Sequence, residues 1–133
     1  MGCKAGLRGL MSLTTNKRVV SVVDDDESIR KAITRMGHAA GLEVEAFGSA
    51  EEFLDEGNTA DSACLILDIN LPGISGIDLQ DRLNKSSSSI PIIFISAYGD
   101  DRTRENAFGA GAVQFLEKPF TMRTLVAAIR SAI

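Results

Sequence analysis

Cys64-Leu65-Ile66-Leu67-Asp68-Ile69-Asn70-Leu71-Pro72-Gly73 passes from unbroken apolar residues into a carboxylate and then into turn-formers. A short apolar run bounded in this way reads as a strand buried on both faces, the kind found inside parallel sheets. Such a strand, Cys64–Leu67, delivers Asp68 to its carboxyl end. Three other stretches repeat the pattern. Val19–Val23 is β-branched and ends in Asp24-Asp25-Asp26, Ile90–Ile95 ends in Ser96, and Ala112–Leu116 ends near Lys118-Pro119. Glu43–Phe47 has the mixed polarity of an edge strand.

Helical spacing fills the gaps between these runs. Ile29, Ile33, Met36 and Ala40 lie on one helix face, opened by Asp26 as N-cap and closed by Gly41. Ser49-Ala50-Glu51-Glu52 is a capping box for a short helix expected to bury Phe53 and Leu54 and to stop at Gly57-Asn58. Ser75 with Asp78 opens a third helix, with Ile77 and Leu83 inward. Asp100 caps a fourth, through about Phe108, and Gly109-Ala110-Gly111 turns the chain back. Thr121 opens the last, with Leu125, Val126, Ile129 and Ile133 as its apolar residues. The serines 86–89 make a linker too short to divide domains.

Strand and helix alternate five times, which predicts an α/β fold: a flavodoxin-like, doubly wound, five-stranded parallel sheet of order 2-1-3-4-5 with helices on both faces. The 133 residues suit a single core. Residues 19–133 are expected to form the domain, and residues 1–18 an N-terminal extension. Met1-Gly2 does not continue into a myristoylation site, because Gly6 stands where Ser or Thr is needed. Arg8 interrupts any signal-peptide core.

All four basic residues of the extension are unopposed, so positions 19–133 hold 10 basic and 18 acidic residues, a net of −8 against −4 for the whole chain. An acidic body repels a phosphate backbone, and direct nucleic-acid binding is not expected. No run has the length of a membrane span. Cys3 and Cys64 lack CxxC spacing, which argues against disulfides and zinc and fits the cytoplasm. His38 has no companion ligands and reads as a surface residue.

Parallel sheets carry their sites at the carboxyl ends of their strands, near the switch between strands one and three. Asp24, Asp25, Asp68, Ser96 and Lys118 all fall on that edge. Singly, each is a cap or a solvated loop charge; together they are a site. Three clustered carboxylates need a cation among them, and an oxygen-only, partial shell suits Mg²⁺, with Mn²⁺ able to substitute. With a divalent ion present, Asp68 can attack a phosphoryl group, Ser96 can donate to one phosphoryl oxygen and Lys118 can pair with another.

The acidic cluster in Val22-Val23-Asp24-Asp25-Asp26, Asp68 within Leu67–Gly73, Ser96-Ala97 and Lys118-Pro119-Phe120 together resemble the receiver domain of two-component response regulators. The likeness extends over residues 19–133 and is nearest to receivers that precede LuxR-type DNA-binding domains. It implies that Asp68 is the phosphoacceptor, served by a sensor histidine kinase or phosphotransfer protein. Asp25 and Asp68 would ligate Mg²⁺ directly, Asp24 would act through bound water, and Asn70 would offer its backbone carbonyl. Ser96 would be the switch hydroxyl and Lys118 the phosphate-pairing lysine, after which a cis Lys118–Pro119 bond is expected. Phe115 would be the aromatic switch, turning inward on phosphorylation. The output would be a changed surface on helix 4, strand 5 and helix 5, open to a partner, an effector domain or a second copy. Such a protein is a phosphoacceptor that catalyses its own phosphotransfer and slow dephosphorylation, not an enzyme with turnover. Tyr98 is expected to slow attack of water on the acyl phosphate.

Three other readings share some of these features. A dehalogenase-type phosphatase also uses a nucleophilic aspartate, but its general acid two residues on is replaced here by Asn70. A flavodoxin needs a phosphate loop where this chain has three acids. A pseudo-receiver used for binding alone would not need the complete set.

Overall fold

The computed structural model describes residues 19–57, 62–97 and 99–133. In chain order these form β1 (Val19–Val23), α1 (Glu27–Ala39), β2 (Glu43–Phe47), α2 (Ala50–Glu56), β3 (Ser62–Asp68), α3 (Gly76–Lys85), β4 (Ile92–Ser96), α4 (Asp101–Gly109), β5 (Gln114–Glu117) and α5 (Met122–Ala132). The five strands are all parallel, in the order β2-β1-β3-β4-β5. This is the sheet that the apolar runs predict.

Period-two alternation in the central strands divides the interior between two layers. Val23, Leu65, Leu67 and Phe94 join Phe53, Leu79, Leu83 and Ala107 on the side covered by α2, α3 and α4. Val20, Val22, Ile66, Ile93 and Ile95 join Ile33, Met36, Leu125 and Ile129 on the side covered by α1 and α5. Every residue of β1 and β4 is buried, as a strand covered on both faces must be. β2, at the edge, buries Phe47 alone of its five residues.

The helix starts match the predicted caps. Side chains of Asp26, Ser49, Ser75, Asp100 and Thr121 accept backbone N–H bonds from the first turns of α1 to α5 in that order. In the Ser49 box the returning carboxylate of Glu52 takes the N–H of Gly48, at 2.7 Å, and not that of Ser49. Gly41, at φ +80°, lies just past α1 in the left-handed region that suits glycine.

Several inward assignments change. Leu54 is 38% exposed, because the two short turns of α2 press only Ala50 and Phe53 against the sheet. Ile133, expected only to be apolar, is 38% exposed just beyond the last helical residue. In α3, Leu79 and Gln80 are fully buried alongside Leu83, while Ile77 is partly buried. β3 starts and ends outside Cys64–Leu67, β4 starts at Ile92, and β5 begins two residues late. There the N–H of Ala112 is still bound to the end of α4 through Ala107 O.

Candidate phosphoryl and metal site

Register carries the site residues to one edge. Val23 of β1 pairs with Leu67 of β3, so Asp24 and Asp68 leave neighbouring strands at the same level. Asp68 in turn pairs with Ile95 of β4, and Ser96 with Glu117 of β5, directly before Lys118. Close packing under β3 sets the height of Asp68. Gly76, the first residue of α3, lies so near that a Cβ there would overlap the Asp68 carbonyl oxygen.

Asp24 is fully buried. Its Oδ1 accepts the N–H of Asp26 at 2.9 Å, and its carbonyl accepts Arg30 Nη1 at 2.8 Å. Its Oδ2 lies 3.0 Å from Lys118 Nζ, an ion pair outside hydrogen-bond geometry, so this buried oxygen has no hydrogen bond among the described residues. Asp68 is 4% exposed; its Oδ1 accepts the N–H of Asn70 at 3.1 Å and its Oδ2 accepts Lys118 Nζ at 3.3 Å. Asp25 is exposed. Ser96 is fully buried at the end of β4, and its carbonyl accepts the N–H of Lys118 at 2.8 Å. The Lys118–Pro119 bond is cis, as the resemblance implies.

Burial pushes the Asp68 carboxyl above its ordinary value, and the charge of Asp24 adds to the rise; the Asn70 N–H and Lys118 oppose it without cancelling it. For Lys118, burial works to lower the pKa. The contacts and charges of Asp24 and then Asp68 outweigh burial, so the ammonium titrates above its ordinary value.

The ammonium of Lys118 pairs with two carboxylates, and a third, Asp25, stands beside them. Oxygens of Asp24, Asp25 and Asp68 all lie within 4.8 Å of one another and can hold a metal ion. The hydrogen-bond-free Asp24 Oδ2 and the raised Asp68 carboxyl are both relieved by a cation. An oxygen-only set fits a hard divalent ion such as Mg²⁺.

Phe115 is buried beneath the same edge, 4% exposed. Its ring centroid is 6.3 Å from that of Phe94, tilted by 44°, and Arg104 Cζ lies 5.2 Å above it. The ring is thus already inside in this structure, whereas the sequence reading has it turn inward on phosphorylation. His38 is exposed on α1, Glu117 is exposed at the end of β5 next to Lys118, and Tyr98 and residues 1–18 fall outside the described residues. Sequence reasoning misses Arg30, which fixes the Asp24 main chain. It also misses Glu51, whose Oε2 accepts the N–H of Ile74 at 3.1 Å and so holds the loop after Asp68. Both act on backbone atoms, which carry no sequence signal; their only trace is a charged residue on the flank of a helix.

Residues 20–130 match the response regulator receiver domain family. Over 131 residues the chain is 40% identical to the response regulator protein TodT of Pseudomonas putida, covering 98% of this chain and 56% of that protein. It is 44% identical over 118 residues to nodulation protein W of Bradyrhizobium diazoefficiens, covering 89% and 52%. Among solved structures it superposes on the response regulator StyR with a TM-score of 0.82 at 44% identity, covering 87% of this chain and 59% of that one. On FixJ-N the TM-score is 0.77 at 36% identity, covering 87% and 93%. The chain spans about half the length of the curated relatives it matches. Since the matched segment runs from the second residue of β1 into the last turn of α5, the likeness is to the whole fold, and the chain belongs to the response regulator receiver domains of two-component signalling.

Proposed function

We propose that the chain is a phosphorylation-dependent switch that accepts a phosphoryl group on Asp68 from a sensor histidine kinase or phosphotransfer protein. The observation that carries this reading is the approach of the buried Asp68 and Asp24 carboxylates to the single ammonium of Lys118, at 3.3 and 3.0 Å, beside exposed Asp25. In the transfer, an Asp68 carboxylate oxygen forms a bond to phosphorus as the bond from phosphorus to the donor nitrogen breaks. Lys118 pairs with one phosphoryl oxygen and the Ser96 hydroxyl donates to another. Asp25, Asp68 and the Asn70 carbonyl would hold Mg²⁺, or Mn²⁺ in its place, with Asp24 acting through water, and the bound ion would supply charge neutralisation to the phosphoryl oxygens.

Asn70 cannot donate a proton to a leaving group or activate water, so the acyl phosphate persists as a signal and self-dephosphorylation is slow. In this reading residues 19–133 are the working unit, act in the cytoplasm and need neither nucleic acid nor membrane contact. Displacement of Phe115 alters the α4–β5–α5 surface, where a partner, an effector domain or a second copy docks. The deciding experiment is labelling by acetyl phosphate with and without Mg²⁺. We expect one phosphoryl group per chain, dependent on Mg²⁺ and absent in Asp68→Asn. Labelling that survives in Asp68→Asn would rule the assignment out, and steady turnover of a small phosphomonoester would favour a phosphatase.

A further inference from the structure

Of the nine residues of α4, Ala107 alone is buried, so polar contacts must hold most of this helix in place. Two of them come from α3. Gln80 Nε2 donates to Ala107 O at 3.0 Å, and Asn84 Nδ2, one turn further along α3, donates to Ala110 O at 2.9 Å. Gln80 is 1% exposed, and burying an amide leaves a large penalty if its bond is lost. Both acceptors lie at the C-terminal end of α4. Towards the other end stands Arg104, resting on the Phe115 ring. That ring is hemmed in by Phe94 and by Gly99, where any Cβ would overlap it.

We propose that α4 is a lever, pinned to α3 at its C-terminal end by Gln80 and Asn84 and tied at its N-terminal end to the ring of Phe115 by Arg104. A guanidinium is drawn to the face of a ring and not to its edge. If the ring turns, the face under Arg104 moves, and the Asp101–Arg104 end must follow or lose the contact. The C-terminal end is held back by two directional bonds, the one from Gln80 buried and the one from Asn84 at the surface. A phenylalanine has no hydroxyl with which to report its position, and Arg104 supplies that report. The inference rests on Asp68 as phosphoacceptor only for what moves the ring; the pin and the tie stand on the contacts themselves.

Amide hydrogen exchange, resolved by residue, tests both parts. Without metal or phosphoryl donor, Arg104→Met should speed exchange at Thr103 and Glu105 about fivefold and leave Ala110 and Ala112 unchanged. Gln80→Met, or Asn84→Ala should the first variant fold poorly, should do the reverse. Equal loosening of both ends by either change, or of neither, overturns the proposal. With Mg²⁺ and beryllofluoride, the parent should change at Thr103 and Glu105 alone. Arg104→Met should lose that response while its Asp68 is labelled by acetyl phosphate as in the parent. A response along the whole of α4, or one retained in Arg104→Met, overturns the lever. A parent that gains no phosphoryl group overturns the Asp68 assignment, and the metal-free exchange then decides the pin and the tie by itself.

Discussion

Lys118 Nζ lies 3.3 Å from Asp68 Oδ2 across 50 residues of sequence, and the same nitrogen lies 3.0 Å from Asp24 Oδ2. A single cation thus holds together the ends of three strands. Replacing it by Met leaves two buried carboxylates facing each other. Lys118→Met should therefore lower stability by about 2 kcal/mol at pH 7, below the 3–5 typical of a dry pair because the amine is partly wet. Urea unfolding curves give the difference. The lysine pKa is raised on folding, so its stabilising effect is complete below the ordinary value of 10.5 and fades as pH rises through the higher folded value. The gap between parent and variant should narrow at strongly alkaline pH and nowhere between pH 7 and 10; a gap that closes by pH 8 would contradict this.

Divalent metal should stabilise the fold, since Asp24 Oδ2 has no hydrogen bond among the described residues and Asp68 is strained by its neighbour's charge. Mg²⁺ at ten times its dissociation constant adds about 1.4 kcal/mol by mass action. Thermal unfolding with Mg²⁺ and then with excess EDTA should show a reversible upward shift that Asp25→Asn reduces. No shift in the parent would mean that the cluster does not take up the ion.

Gly76→Ala should destabilise, although the same change elsewhere in a helix stabilises by up to about 1 kcal/mol. The new methyl group would press on the Asp68 carbonyl, and overpacking of this kind costs about 1–3 kcal/mol. Because the strain falls on Asp68 itself, the labelling rate should drop together with the denaturation midpoint.

Glu51→Ala removes the acceptor for the Ile74 N–H. Exchange at the Ile74 amide should quicken while global stability falls by no more than about 1 kcal/mol, the bond being exposed. Glu51→Gln keeps an acceptor oxygen and should exchange like the parent.

Burial pushes the Cys64 thiol up to about 12, which leaves almost no thiolate near neutrality. Iodoacetamide at pH 8 should leave Cys64 unmodified in the folded protein and modify it readily in urea, as peptide mapping would show. Rapid alkylation of the native chain would mean that β3 is not packed as described.

The sequence by itself determined the alternation, the sheet order and the identity of the strand-end residues. An apolar run that stops at a charge is a local pattern, and right-handed crossovers leave few ways to stack five such runs. The caps were equally readable, because Asp26, Ser49, Ser75, Asp100 and Thr121 each bond to an N–H within the next three residues. Leu54 was misjudged because burial depends on which flank meets the sheet, and hydrophobicity does not say. Only the tertiary structure decided that Asp24 and Asp68 share Lys118 and that Phe115 sits buried under Arg104. It also decided that Gln80 and Asn84 hold the end of α4. These contacts join atoms far apart in the chain, often to backbone carbonyls that every residue possesses, so nothing in the order of side chains announces them. The residues proposed to do the chemistry were written at the strand ends; the contacts that hold them were written only in space.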